Sequence, residues 1–394
     1  MKHTTRTTSI ALAFSLICMT LFLSSSKITN DKTSIPEQFA KQQPKIQVAI
    51  LLDVSNSMDG LIEQAKAQLW NMVSVMGKAK CGNTSPQIEI ALYEYGRSDN
   101  NVKDGFVKQL MEFTSDLDSL SQTLFNLKTN GGDEYCGQVI YSSLSNLNWD
   151  TATSGYKVIF IAGNEDFLQG NLSYTKACAT ANKRGVIVNT IYCGDKMQGI
   201  REHWNLAGEC GNGSYTNINQ DATMDDIATP YDSVLFSLNN QLNNTYIAYG
   251  NAGGSKLAKQ QEVDRMNYSM NKSVAAKRVA VKGKKELYNN AGWDLVDAFE
   301  SDTLFAAKLD MKTLPENLQK KSRAEITRIV KEKNSQRGNI QKEISATNTK
   351  REIYIAAEKK KSITNAGNNA TLETEIEKII KKQAIRFNMT IESN

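Results

Sequence analysis

From residue 46 the chain alternates between short apolar runs and longer stretches with helical spacing. IQVAILLD, residues 46–53, stays apolar almost to its last position, the pattern of a strand buried on both faces. GLIEQAKAQLWNMVSVMGKA then sets Leu61, Ala65, Leu69, Met72, Val73 and Met76 along one stripe of a helix. QIEIALYEYG and FVKQLMEFT predict two more strands, and SDLDSLSQTLFNL a helix capped by Ser115 or Asp116. After the glycine loop TNGGDEYCG come a helix over QVIYSSLSNL, a strand over YKVIFIAG, a helix over LSYTKACATANKRG and a strand over VIVNTIYCG. The helices IREHWNLAGE and MDDIATPYDSVLFSLNNQL, with the short strand SYTNI between them, complete the series. Strands alternating with helices of this length need crossover connections. The fold class is therefore α/β, a doubly wound, mostly parallel sheet flanked by helices over residues 44–244.

The pattern changes after residue 255. Leu314, Leu318, Ile326, Ile329, Ile340 and Ile344 recur at three- and four-residue steps among Lys, Glu, Gln and Ala. This predicts an all-α tail over 255–394, with two or three long helices packed as a hairpin or coiled coil. NAGWDLVDAF interrupts it with a turn and an apolar knot around Trp293, Leu295, Val296 and Phe299, which reads as a plug between helices. Charge divides at the same place: residues 41–250 carry roughly −7 and residues 251–394 roughly +10, an asymmetry that supports two structural units. The lysines of the basic half are mixed with glutamates and have few aromatic neighbours. That is the pattern of a solvated helix face and not of a nucleic-acid groove.

Lys2 and Arg6 precede an apolar stretch from Ile10 to Leu23, followed by Ser24, Ser25 and Ser26. Residues 1–26 read as an export signal, with an uncleaved membrane anchor as the alternative. The periplasm or the cell surface is the expected location, and association with the envelope fits either. Removal of Cys18 with the signal leaves Cys81, Cys136, Cys178, Cys193 and Cys210. Export permits disulfides, but an odd count leaves at least one thiol unpaired within the chain. The topology puts Cys136 and Cys193 near the carboxyl ends of strands, so a bridge between them is geometrically accessible, whereas Cys81 to Cys136 is disfavoured. No CxxC pair occurs, which argues against structural zinc. His3 and His203 are the only histidines. With one imidazole outside the signal, Ser-His-Asp and Cys-His hydrolysis are disfavoured, and His203 reads as a helix-face residue. The chain is accordingly read as a non-enzyme.

LLDVSNSMDG, residues 51–60, places Asp53, Ser55 and Ser57 at alternate positions between a buried strand and a helix. In open α/β sheets functional groups collect beyond the carboxyl ends of the strands. One carboxylate and two hydroxyls are hard oxygen donors, suited to Mg²⁺, Mn²⁺ or Ca²⁺. The glycine loop lacks the G-x-x-x-x-G-K-[ST] sequence of a nucleotide P-loop. Asp53 is not followed two residues on by the second carboxylate that an aspartyl phosphatase would need, since Ser55 stands there.

These residues resemble the metal-ion-dependent adhesion site of von Willebrand factor type A domains, whose first motif is Asp-x-Ser-x-Ser after a hydrophobic strand. The resemblance implies that Ser55 and Ser57 ligate a divalent cation directly, that Asp53 anchors a metal-bound water, and that an open coordination position accepts an acidic group from a protein partner. Gly131 and Gly132 match the glycine pair of the second motif, but Asp133 stands where its threonine would be. Ala162, Gly163 and Asn164 fill the slots of the third motif, Thr-Asp-Gly, so its aspartate is missing. Moving a carboxylate from position 163 to 133 would keep the formal charge of the site. Asp133 is therefore expected to compensate, with Asn164 or Glu165 as an outer group. The whole, a type A domain followed by lysine-rich helices containing WDLVDA, resembles exported bacterial cell-envelope proteins. It implies an adhesion or scaffold role. The alternatives are a structural envelope protein that self-associates through its helices and, more remotely, a hydrolase.

Overall fold

A computed structural model of the chain describes residues 43–219, 227–302, 304–362 and 372–391. The N-terminal segment read as an export signal and the start of MDDIATPYDSVLFSLNNQL lie outside the described residues. Apart from a two-residue antiparallel pairing of Ala79–Lys80 with Thr390–Ile391, the strands are β1 (Lys45–Asp53), β2 (Gln87–Tyr95), β3 (Lys108–Thr114), β4 (Tyr156–Gly163), β5 (Ile187–Cys193) and β6 (Tyr215–Ile218). They form one sheet in the order β3-β2-β1-β4-β5-β6, parallel throughout except for β3 at one edge. This is the doubly wound order, in which the winding reverses between β1 and its neighbour β4. The register aligns Asp53 with Tyr95 and Leu52 with Ala162. The ends of β1, β2 and β4 therefore meet at one edge of the sheet, at the crevice that the reversal opens.

Helices cover both faces. On one lie α1 (Asp59–Met76) and α2 (Leu117–Phe125); on the other lie α3 (Cys136–Asn146), α4 (Tyr174–Arg184) and, beyond the short α5 (Lys196–Arg201), α6 (Trp204–Cys210). Every residue of β4 is buried, which explains its apolar run from Val158 onward; Lys157, the one charged residue, donates from its Nζ to the Asp150 carbonyl at 2.8 Å. Asp116 caps α2, as its sequence suggested, by accepting from the Ser119 amide at 2.9 Å. IREHWNLAGE folds as two short helices because His203 takes a left-handed conformation, φ 65°, between α5 and α6. Its Nδ1 lies 3.0 Å from Asp166 Oδ1.

The helices after residue 250 do not stand apart. Next come α7 (Asp232–Asn243), α8 (Gly253–Met270), α9 (Lys272–Lys282), α10 (Leu295–Ser301), the single turns α11 (Phe305–Lys308) and α12 (Glu316–Gln319), α13 (Arg323–Ser362) and α14 (Leu372–Ala384). α8 and α9 form a hairpin laid on α1 and α2, and α14 packs on α1. α13 lies along α7, α9 and α10. From Gln43 onward the chain is a single compact unit. Buried polar bonds tie the basic helices to the rest: Trp70 Nε1 donates to Asn267 Oδ1 at 2.8 Å, and Arg351 Nε to Asp232 Oδ1 at 2.8 Å. The apolar knot behaves as a plug, with Trp293 stacked on Tyr246 and Leu295 and Val296 packed against Ile326 and Val330. Among the described residues no helix is long and apolar enough to cross a membrane.

The one disulfide of the described residues joins Cys178 on α4 to Cys210 at the end of α6, with Cα atoms 5.8 Å apart. The bridge from Cys136 to Cys193 is not formed; both are buried free thiols, and Cys81 is a third. Cys136 Sγ is occupied instead, donating to the Tyr95 hydroxyl at 3.8 Å. Cys178→Ser should cost about 3.7 kcal/mol, the loop-closure value for cross-linked residues 32 apart. Urea unfolding of the oxidised parent and the variant measures this, and a difference below about 1 kcal/mol would contradict it.

Candidate metal centre

Asp53 closes β1 with its side chain fully buried, and its Oδ1 accepts the Ser55 amide at 2.8 Å. That bond forms because the chain turns sharply after Val54, whose own amide is held by the Tyr95 carbonyl at 3.0 Å. A short turn, Asn56–Met58, leads into α1. The other carboxylate oxygen, Asp53 Oδ2, and the Ser55 hydroxyl are both buried with no well-formed hydrogen bond, although the Ser55 side chain and the Asn164 amide approach the carboxyl closely enough to lower its pKa. Two neighbouring orphaned oxygens are an uncommon cost in a native fold, and they point to a missing cationic or donor group. Ser57 is exposed and faces Asn164, whose Nδ2 lies 3.1 Å from its hydroxyl.

The structure thus brings Asp53, Ser55, Ser57 and Asn164 to one place and treats Asp133 differently. Asp133 is exposed, and its Oδ2 accepts the Tyr135 hydroxyl at 3.1 Å. The carboxylate turned inward is the next one, Glu134, which is buried. A Cβ placed on Gly96 would lie 2.8 Å from Asp53 Oδ1 and 3.1 Å from Glu134 Cγ, so both acids border the space that this glycine leaves. Its φ of +81° favours glycine independently. Gly163 leaves a similar space: a Cβ there would lie 2.5 Å from the Tyr95 hydroxyl and 2.9 Å from Asp53 Oδ2. An aspartate at 163 has no room while Tyr95 reaches over to donate to the Ala162 carbonyl at 2.9 Å. A side chain at 163 would have to displace the Tyr95 hydroxyl and the Asp53 carboxylate. Sequence reasoning passed over Glu134. The available signal was its position two residues before Cys136, the first residue of α3.

Electrostatics mark the same pair. Burial pushes the Asp53 carboxyl up to about 6, against the bond from Ser55 and with help from the negative Glu165. Burial, then Asp53 and Glu165, push Glu134 up to about 8. No lysine, arginine or histidine is ion-paired with either among the described residues; nearby Arg97 is held by Asp99 at 2.6 Å. By side-chain type, no group of three or more His, Cys, Asp or Glu placed to hold a metal ion occurs among the described residues. Any cation here would depend on hydroxyls as well as carboxylates.

The strand order, the antiparallel edge strand and the Asp-x-Ser-x-Ser turn at the end of β1 define a von Willebrand factor type A-like fold with an acidic crevice at its switch point. Solved structures similar to the chain include the conserved hypothetical protein BatB from Bacteroides thetaiotaomicron, at 16% identity and TM-score 0.33, covering 44% of this chain and 90% of that one. The VWA domain of SpRpn10 matches at 15% identity and TM-score 0.33, covering 44% and 88%. Proximal thread matrix protein 1 from the mussel byssus, described with a zinc-occupied MIDAS motif, matches at 14% identity and TM-score 0.32, covering 44% of this chain and 42% of that one. No protein-family model matches the sequence, and no curated protein does.

Proposed function

We propose that the protein is an exported, non-enzymatic binding module that engages an acidic group of a protein partner through a divalent cation held at the end of β1. The carrying observation is the pair of buried oxygens without a well-formed hydrogen bond, Asp53 Oδ2 and Ser55 Oγ, beside the buried Glu134. The all-oxygen donor set suits Mg²⁺, Mn²⁺ or Ca²⁺. Asp53, Ser55 and Ser57 would hold the ion with Glu134 as the second carboxylate, and Asn164 would orient Ser57. A bound cation would supply a positive charge with an exchangeable position, which a carboxylate of the partner can complete. The Cys178–Cys210 bridge supports an oxidising location, and the periplasm or cell surface fits it.

Calorimetric titration of the chelator-treated protein with MnCl₂ tests the reading. Ser55→Ala and Glu134→Gln should each weaken binding about tenfold or more, the equivalent of ~1.4 kcal/mol. Asp133→Asn should stay within about twofold of the parent. If Asp133→Asn weakens binding as much as Glu134→Gln does, the compensating carboxylate is Asp133 after all. Absence of any Mn²⁺ binding would leave the orphaned oxygens without this explanation and overturn the metal mechanism.

A further inference from the structure

A second cavity, of about 600 Å³, opens between α7, α8 and α9 and shares no residue with the acidic crevice. We propose that it is a saccharide-binding site that takes a neutral glycan unit. Its volume is within the usual range for small-molecule pockets, about 300–1,000 Å³. Two aromatic rings line it, Phe236 from α7 and Tyr268 from α8, packed edge to face at 5.0 Å. Tyr268 is half exposed, at 50%. Beside the rings, one or two turns along the same helices, the cavity is lined by planar amides: Asn240 and Asn244 from α7 and its end, and Gln261 from α8.

The chemistry of these groups selects the ligand. A pyranose has apolar faces of C–H groups ringed by hydroxyls that both donate and accept. Aromatic rings cover such faces, and each amide offers a donor and an acceptor side by side. The floor is charged but balanced. Asp264 accepts from Arg278 Nε at 2.6 Å and from Lys282 Nζ at 2.8 Å, and Arg278 also reaches Asp118 at 2.7 Å. Two cations face two anions, and Arg265 at the rim is ion-paired with Glu262. The cavity therefore presents no surplus charge to attract a phosphate, a nucleotide or a cationic peptide. Asn239 and Asn243 are committed to this floor, each donating to Asp264 and accepting from Lys282. Asn240 and Gln261 have no such internal duty. Asparagine within a helix costs helix stability relative to alanine, and an exposed Asn240 facing a cavity offers a ligand what it does not give the fold.

The test uses the full chain and four soluble probes, cellotetraose, maltotetraose, mannotetraose and chitotetraose, titrated calorimetrically. At least one should bind with a Kd of about 1 mM or tighter. Tyr268→Ala should weaken that binding about tenfold or more and Asn240→Ala about threefold or more; the melting temperature should be unchanged in Asn240→Ala, whose side chain is exposed, and lower by no more than a few degrees in Tyr268→Ala, which loses its packing on Phe236. Ser57→Ala, in the other site, should leave it unaltered, so failure of the cation reading and failure of this one are separable. The proposal is overturned if none of the four probes binds at about 5 mM, or if binding persists unchanged in Tyr268→Ala and Asn240→Ala.

Discussion

Arg278→Ala is expected to lower the unfolding free energy by about 3–5 kcal/mol, the range for removing one partner from a buried ion pair. Arg278 is nearly inaccessible, and each nitrogen of its guanidinium donates a hydrogen bond: Nη1 to Asp118 of α2, Nε to Asp264 and Nη2 to the Gln260 carbonyl of α8. Its plane lies 4.5 Å from the Trp70 ring of α1. One side chain of α9 thus joins three other helices. Without it, Asp118 keeps, among the described residues, the Tyr288 hydroxyl, while Asp264 still has Lys282. Arg278→Lys should fall between, since a single ammonium cannot span two carboxylates and a carbonyl in the same geometry. The double variant Arg278→Leu with Asp118→Leu should recover part of the loss, because no isolated charge remains at that pair. Guanidinium unfolding with a common slope measures all three. A loss below about 1 kcal/mol for Arg278→Ala would show that water reaches Asp118 and that the helical layer is held by apolar packing alone.

This junction also shows where the sequence stops being informative. The sheet and its flanking helices were legible because burial on two faces forces continuous apolar strands, and Asp53, Ser55 and Ser57 stood out as oxygens where such a strand should end. The basic helices misled, because lysine and glutamate at helical spacing describe exposed faces well and say nothing of an isolated buried cation. Arg278, Lys282, Arg337 and Arg351 are all buried, and each finds its carboxylate on an element distant in sequence or across a helix pair. Glu134 was hidden for a related reason. Asp133 and Glu134 are adjacent and chemically alike, and only the path of the loop past Gly96 decides which one turns inward. Gly163 is the converse: the residue absent from the motif would meet Tyr95, a side chain from the neighbouring strand end.

The paired acids Asp53 and Glu134 should make the metal-free protein lose stability as pH rises from about 4 to about 8. Both folded-state values, about 6 and about 8, lie above the ordinary carboxylate range. Between the unfolded and folded values the native state therefore holds protons that the unfolded chain has released. The contribution is fully present below about pH 4 and is lost as pH climbs through the folded values; at about 1.4 kcal/mol per unit the Asp53 shift alone is worth roughly 3 kcal/mol, and Glu134 adds to it. Their repulsion is mutual, so the two shifts do not add in full. Other groups titrate in the same window, and the difference between parent and variant isolates this pair. In chelator, Asp53→Asn with Glu134→Gln should melt above the parent at pH 8.5 and close to it at pH 4.5, since amides carry no charge to desolvate. For the parent at pH 8.5, millimolar Mn²⁺ should restore what deprotonation removes, because a cation neutralises the same charges. The double variant should gain nothing from it. Equal parent and variant melting temperatures across the range would mean that the crevice is wetter than its orphaned oxygens imply. A parent that shows the pH-dependent loss but no Mn²⁺ recovery would leave the two acids as a purely structural strain, with no cation to resolve it.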